Sequence, residues 1–254
     1  MQVTLRGEDY ELAAHFRESG NELIIFVHGL GCSKEAYDEA WTQEVLNDYS
    51  LLSFGLLGFG DSPKPDDVEY NLRLHADTLQ QVVEQFSDYT IHLVANSWGP
   101  IIALLMPEET LSKLASFVSV EGRMLFEDMG GSRKAAAKSF DEFVSDLFPA
   151  MQAKHRGNLV TAYRLDDASP KAYHEGATSL AQLGQEQDFA EKFKSLSCKK
   201  VYMFGDQNSG LQSIAAIAPV ETVEIEDAGH FMMKENPDSF YESLADFLKA
   251  DTHA

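Results

Sequence analysis

The sequence predicts an α/β fold: a mostly parallel sheet with helices on both faces. Three observations lead there. Short apolar runs of strand length alternate with longer stretches of helical periodicity, as parallel strands joined by helices require. The turns that carry Gly, Ser and His fall at the ends of those runs. From residue 123 to residue 195 the strand-like runs stop and helical periodicity dominates. That stretch marks an insertion, which divides the core into residues 1–122 and 196–254.

In order, residues 1–5 and 11–16 alternate as an antiparallel hairpin around Gly7-Glu8-Asp9. Leu23-Ile24-Ile25-Phe26-Val27 is a continuous apolar run, the pattern of a buried strand. It ends in His28-Gly29-Leu30-Gly31, and Ser33 is placed to cap a helix through Ala36, Trp41 and Val45. Leu51-Leu52-Ser53-Phe54 is the next strand and runs into a Gly-rich loop from Gly55 to Pro65. That loop is a poor phosphate cradle, because no Lys-Ser/Thr pair and no helix start follow at the required spacing. Apolar residues at Leu72, Leu79, Val82, Val83 and Phe86 predict an amphipathic helix.

Residues 91–95 then form a buried strand, and a helical apolar run starts at Trp98. Ser97 lies on the sharp turn between them, with small neighbours at Ala95 and Gly99. Pro107 breaks the helix, and residues 116–120 form a strand that ends on Glu121. Within the insertion, Phe140, Phe143, Leu147 and Phe148 share a helical segment, and Ser169-Pro170 opens another with a cap and a first-turn proline. Residues 201–204 and 220–225 resume the sheet. Asn236-Pro237 opens a last amphipathic helix through Phe240, Leu244 and Phe247, followed by a short acidic tail.

Acidic residues outnumber basic ones 41 to 20, a formal charge of −21. Such a surface repels nucleic-acid backbones and anionic headgroups. No apolar segment reaches the ~20 residues of a membrane helix, and no N-terminal stretch joins basic residues to a long apolar run. Two cysteines, Cys32 and Cys198, are too few for a disulfide framework, and Cys32 reads as a small buried hydrophobe. The expectation is a cytoplasmic protein that binds neither nucleic acid nor membrane; a homodimer is left open. No His, Cys, Asp and Glu grouping has zinc spacing, so no metal is predicted.

Ser97 needs a base to act as a nucleophile. Of the eight histidines, His230 is the one on a loop after a late strand, with Gly229 before it and a helix behind. Its ordinary pKa of about 6.5 suits it to take and return a proton. His28 reads as structural, and His15, His75, His92, His155, His174 and His253 as surface or packing residues; His174, in the insertion, is the one placed to meet a substrate.

Ala95-Asn96-Ser97-Trp98-Gly99 resembles the nucleophile elbow of α/β-hydrolases, with Ala95 where that pattern has its first Gly. His28-Gly29, Gly58-Phe59-Gly60-Asp61-Ser62 and Gly229-His230 are similar to that superfamily's loops and follow its order, Ser then acid then His. The Gly-rich loop departs at Gly55, where an Asp is common, and at Leu57, where a Pro is common. The resemblance covers nearly the whole chain. It implies an eight-stranded, mostly parallel α/β-hydrolase sheet with residues 123–195 as a helical cap. It also implies an oxyanion hole built from the backbone N–H groups of Leu30 and Trp98, and chemistry without a cofactor.

Two carboxylates compete for the place of the acid. The position that often carries it, three residues after Gly205, is Asn208, whose neutral amide cannot balance an imidazolium. Asp206 lies on the same loop. Glu121 ends a buried strand, where its desolvation requires a partner such as His230. Glu121 is preferred and Asp206 is the alternative.

The expected function is a serine hydrolase that cleaves an ester, lactone or amide of a small, largely apolar substrate through an acyl-enzyme. Carbon–carbon bond hydrolysis with the same triad is the alternative reaction, and a non-catalytic ligand-binding member of the fold is the other class. Amine binding by Asp166 and Asp167, as in an aminopeptidase, ranks lower. Phe126, Met129, Phe143, Phe148, Met151, Tyr163 and Tyr173 are available to line a pocket, though most are expected to pack the insertion onto itself.

Overall fold

The computed structural model describes residues 1–250, so His253 and the end of the acidic tail lie outside the described residues. Nine strands are present there: β1 (Gln2–Leu5), β2 (Glu8–Glu11), β3 (Ala14–Arg17), β4 (Glu22–Val27), β5 (Ser50–Phe54), β6 (Thr90–Asn96), β7 (Leu114–Val120), β8 (Lys199–Gly205) and β9 (Thr222–Ile225). The main sheet has seven of them in the order β3-β5-β4-β6-β7-β8-β9. Only the β3–β5 pair is antiparallel.

The central strands are buried on both faces, and their alternation distributes side chains to two cores. Leu23, Ile25 and Val27 of β4 join Leu93, Ala95 and Phe117 on one face, packed with Leu79, Val82 and Val83 of the helix Leu72–Gln85. Ile24 and Phe26 join Val94, Val118 and Met203 on the other, with Phe240, Leu244 and Phe247 of the helix Pro237–Lys249. Each such fully buried side chain contributes roughly 1.5–3 kcal/mol. The mostly parallel sheet with helices on both faces is thus the observed architecture. Between β7 and β8 the described structure is helical, including Gly130–Ala136, Phe148–His155, Pro170–Glu186 and Phe189–Ser195.

Three expectations are corrected. The main sheet has seven strands and not eight, because β1 and β2 form a separate two-stranded sheet. The edge of β1 that faces away from β2 pairs with side chains of the helix Leu72–Gln85 and not with a further strand. Gln81 exchanges two 2.8 Å hydrogen bonds with the backbone of Thr4, and Gln85 donates to Gln2 O at 2.8 Å. The first hairpin is also tighter than expected, turning at Arg6 and Gly7, which both have positive φ. Residues 14–17 leave it to pair with β5.

The helix expected through Ala36, Trp41 and Val45 is a run of 3₁₀ turns, Lys34–Thr42 and Glu44–Leu46, interrupted at Tyr37. Ser33 makes no cap hydrogen bond there; its hydroxyl goes to the Glu35 carboxylate. Tyr37 stacks on Phe26 at 4.6 Å, and Trp41 packs 6.2 Å from the same ring. Packing against β4 takes precedence over helical spacing here.

Candidate active site

Ser97 directly follows β6 with φ of +61°, a left-handed conformation that costs a non-glycine residue roughly 1–2 kcal/mol. Both sides of the turn are braced by the chain after β7. The Ser97 N–H donates to Val120 O at 2.9 Å, and the Arg123 N–H donates to Ser97 O at 3.1 Å. The methyl of Ala95 is accommodated because residue 99 is glycine: a Cβ there would stand 3.2 Å from both the Ala95 Cβ and Val27 O.

The loop after β4 presses against this turn. A Cβ on Gly29 would lie 3.3 Å from the Ser97 Cβ and 2.7 Å from Asn96 Oδ1, an approach only glycine allows. Among the described residues, the N–H groups of Leu30 and Trp98 donate to no backbone carbonyl. Two unspent donors therefore lie on the residues that follow Gly29 and Ser97. His28 fastens the surrounding loops. Its Nδ1 donates to Gly29 O at 2.8 Å, its Nε2 accepts from the Leu56 N–H at 2.9 Å, and its carbonyl accepts from Trp98 Nε1 at 3.0 Å. Burial pushes its pKa down to about 4, so it is neutral and its tautomer is fixed by these bonds.

Glu121 follows β7 with φ of +43° and is fully buried. One carboxylate oxygen accepts from Asn208 Nδ2 at 2.9 Å and from the Gly205 N–H at 3.2 Å. The other accepts from His230 Nδ1 at 2.6 Å and lies 3.4 Å from Arg123 Nη2. Burial pushes this carboxyl's pKa up. The hydrogen bond and charge of His230, then Arg123 and Asn208, outweigh it and leave the group below the ordinary carboxylate value.

His230 is held on its Nδ1 side by Glu121, and its backbone carbonyl accepts from Asn96 Nδ2 at 3.3 Å. The imidazole loop is thus joined to the residue beside Ser97. Burial lowers the His230 pKa most; Glu121 opposes it and the Arg123 charge reinforces it, leaving the imidazole below its usual value. Among the described residues, His230 Nε2 makes no hydrogen bond, to the Ser97 hydroxyl or any other protein group.

The structure therefore joins His230 with Glu121 and brings the His28-Gly29 loop onto Ser97. It does not bring Asp206 to the imidazole; that carboxylate accepts from the Ala228 N–H at 3.1 Å. Asn208, flagged in the sequence as a replacement for an acid, donates to Glu121. Sequence reasoning missed Arg123, whose only signal is a cation two residues beyond a buried acid. In the helical segment, His174 bonds Lys138 O at 2.9 Å and packs between Phe140 and Phe143. Asp166 and Asp167 are paired with Arg156 and Arg164.

Phe143, Phe148 and Tyr173 pack on one another with ring centroids 5.3–5.9 Å apart. Two of the aromatic residues singled out reach the site's loops: Tyr163 lies 4.9 Å from the Phe231 ring, and Tyr173 lies with Leu165 against Gly31. Among the described residues no three His, Cys, Asp or Glu side chains converge as metal ligands, and no helix is long and apolar enough to cross a membrane.

A probable lysophospholipase of Arabidopsis thaliana, BODYGUARD 4, is 40% identical over 88 residues, which are 34% of this chain and 21% of that protein. The match thus spans about a fifth of that relative's length. A 2-succinyl-6-hydroxy-2,4-cyclohexadiene-1-carboxylate synthase of Citrobacter koseri is 25% identical over 253 residues, 91% of this chain and 96% of that one. A thermophilic esterase from Thermogutta terrifontis shares the fold, with a TM-score of 0.74, 20% identity and 98% of both chains covered. A model of the alpha/beta hydrolase family matches residues 24–243, and the chain belongs to that family.

Proposed function

We propose that this chain is a serine hydrolase of esters, lactones or amides with an apolar acyl or alcohol part, working through an acyl-enzyme. The observation that carries the reading is the 2.6 Å bond from His230 Nδ1 to the buried Glu121, on a loop tied to Asn96 beside Ser97. With Nδ1 protonated toward Glu121, Nε2 is the basic nitrogen, as proton removal from Ser97 requires. Ser97 Oγ attacks the carbonyl carbon, its proton passes to Nε2, and the carbonyl oxygen becomes the oxyanion held by the Leu30 and Trp98 N–H groups. The imidazolium then protonates the leaving group. Water, deprotonated by His230, cleaves the acyl-enzyme and returns Ser97. Glu121 offsets the positive imidazolium in both halves.

We assign residues 123–195 as the cap that selects the substrate. Supporting this, the Arg164 N–H donates to Gly31 O at 2.8 Å, and Leu165 and Tyr173 lie over that loop. Carbon–carbon bond hydrolysis is the second reading, because it needs the same nucleophile, base and acid. A fluorophosphonate probe together with aryl esters of increasing acyl length tests the proposal. The expected result is a covalent adduct on Ser97, and ester turnover that falls at least a thousandfold in Ser97→Ala, given the usual cost of losing a triad member. A folded chain with no adduct at Ser97, or a Ser97→Ala variant with unchanged turnover, sinks it and leaves a ligand-binding protein.

A further inference from the structure

Glu121 faces two nitrogen donors, the His230 ring and the Arg123 guanidinium, and the serine-hydrolase reading uses only the first. Arg123 is anchored by its own N–H on Ser97 O, and its guanidinium Nη2 lies 3.1 Å from His230 Nδ1 and 3.4 Å from Glu121 Oε2. The Arg123 side chain is 18% exposed beside a carboxylate with no exposure. A nitrogen and a carboxylate oxygen 2.6 Å apart need a proton between them, and the carboxylate is ionised, so the proton belongs to Nδ1. Nδ1 then has no lone pair for Arg123. The guanidinium can donate only to Glu121, and its charge rests against the imidazole N–H.

Such a cation stabilises the Glu121 carboxylate and opposes a second positive charge on the ring. The charged groups facing His230 are Glu121 after β7, Arg123 on the same connection, and Glu235 behind the imidazole loop, whose carboxylate accepts from the Gly229 N–H. Asn208, from the loop after β8, is neutral.

We propose that Arg123 is a positioning residue for the hydrolysis proposed above: its guanidinium holds Glu121 ionised and keeps His230 a neutral base in the resting enzyme. The proposal rests on that reading. Its consequence is an enzyme that stays competent further into the acid range than an ordinary Ser-His-acid site. The low partial exposure of Arg123 leaves its charge only partly screened.

The test compares wild type, Arg123→Gln and Arg123→Lys in kcat/KM against pH for an aryl ester at fixed ionic strength. The acidic limb should move up by about one pH unit in Arg123→Gln, the size expected of one nearby charge, and stay near wild type in Arg123→Lys. A limb that does not move in Arg123→Gln, even with a lowered plateau, overturns the proposal. Titration of the His230 ring by NMR in a Ser97→Ala background gives the same answer without turnover. The imidazole pKa should rise by about one unit when Arg123→Gln is added, and an unchanged value is again fatal. Arg123→Met serves where the Gln variant folds poorly. Because this second readout needs no catalysis, failure of the serine-hydrolase reading remains distinguishable from failure of the role given to Arg123.

Discussion

Strands β7 and β8 lie side by side in parallel, and each is followed at once by an acidic residue. Glu121 after β7 turns into a left-handed φ of +43°, is fully buried and meets His230. Asp206 after β8 enters a 3₁₀ turn, remains partly exposed and ties down the Ala228 N–H. Residue type and strand position are nearly the same in the two places; the backbone conformation and the supply of donors differ. Glu121 draws on Asn208, the Gly205 N–H, His230 and Arg123. A buried carboxylate is tolerable only where such donors converge, so the donor set identifies the proposed triad acid better than strand position does.

The largest way to break this contrast is Glu121→Gln. Gln is close in size and keeps an acceptor for its neighbours, yet it cannot balance an imidazolium and does not enforce the Nδ1–H tautomer. Ester turnover should fall roughly 10³–10⁴-fold, as when a triad carboxylate becomes an amide. Turnover within tenfold of wild type would strip Glu121 of the role.

A second contrast sharpens the first. Where Glu121 is saturated with partners, His75 has none among the described residues: it is fully buried, and both ring nitrogens lack a hydrogen bond there. It lies among Trp98, Phe59 and Tyr70, with ring centroids 5.1–6.4 Å away. Burial, with a smaller push from neighbouring His28, lowers its pKa to about 3. The folded pKa is therefore depressed below the unfolded value, and the unfolded chain binds the extra proton first. Its share of stability is complete above about pH 6.5 and is lost as pH falls toward the folded value, about 2 kcal/mol by pH 5. His75→Leu should flatten the decline of Tm between pH 7 and pH 5 by about 5 °C. Parallel Tm curves for the two proteins would show that His75 is not held neutral.

These contrasts also show what the sequence makes legible. Ser97 stands out because an apolar strand run and a helical run meet across two residues, and both periods are local. Glu121 stands out because a carboxylate at the end of an apolar run is costly wherever it packs. The pairing of β3 with β5 does not stand out: residues 14–17 read as extended, but their partners lie at residues 51–54 and alternation carries no address. The 3₁₀ turns at residues 34–46 are hidden for a related reason, since the spacing of Tyr37 and Trp41 answers to the ring of Phe26 and not to a helix period. Arg123 is a loop cation in an unremarked segment, and only the fold sets it against His230. The donor set around Glu121 has the same origin, drawn from residues 121–123, 205–208 and 230, which no single stretch of chain displays.

The smallest effect belongs to the other carboxylate. In Asp206→Asn the side-chain carbonyl can still accept from the Ala228 N–H, so a charge-assisted hydrogen bond becomes a neutral one. That change is worth about 1 kcal/mol or less, and its effect on His230 is indirect, through the position of Ala228 two residues earlier. Ester turnover should stay within about threefold of wild type, with Tm lower by no more than about 3 °C. Measured beside Glu121→Gln, this variant decides between the two strand ends. If Asp206→Asn loses turnover by orders of magnitude while Glu121→Gln retains it, the acid belongs to β8, and the 2.6 Å bond at Glu121 is a structural ion pair.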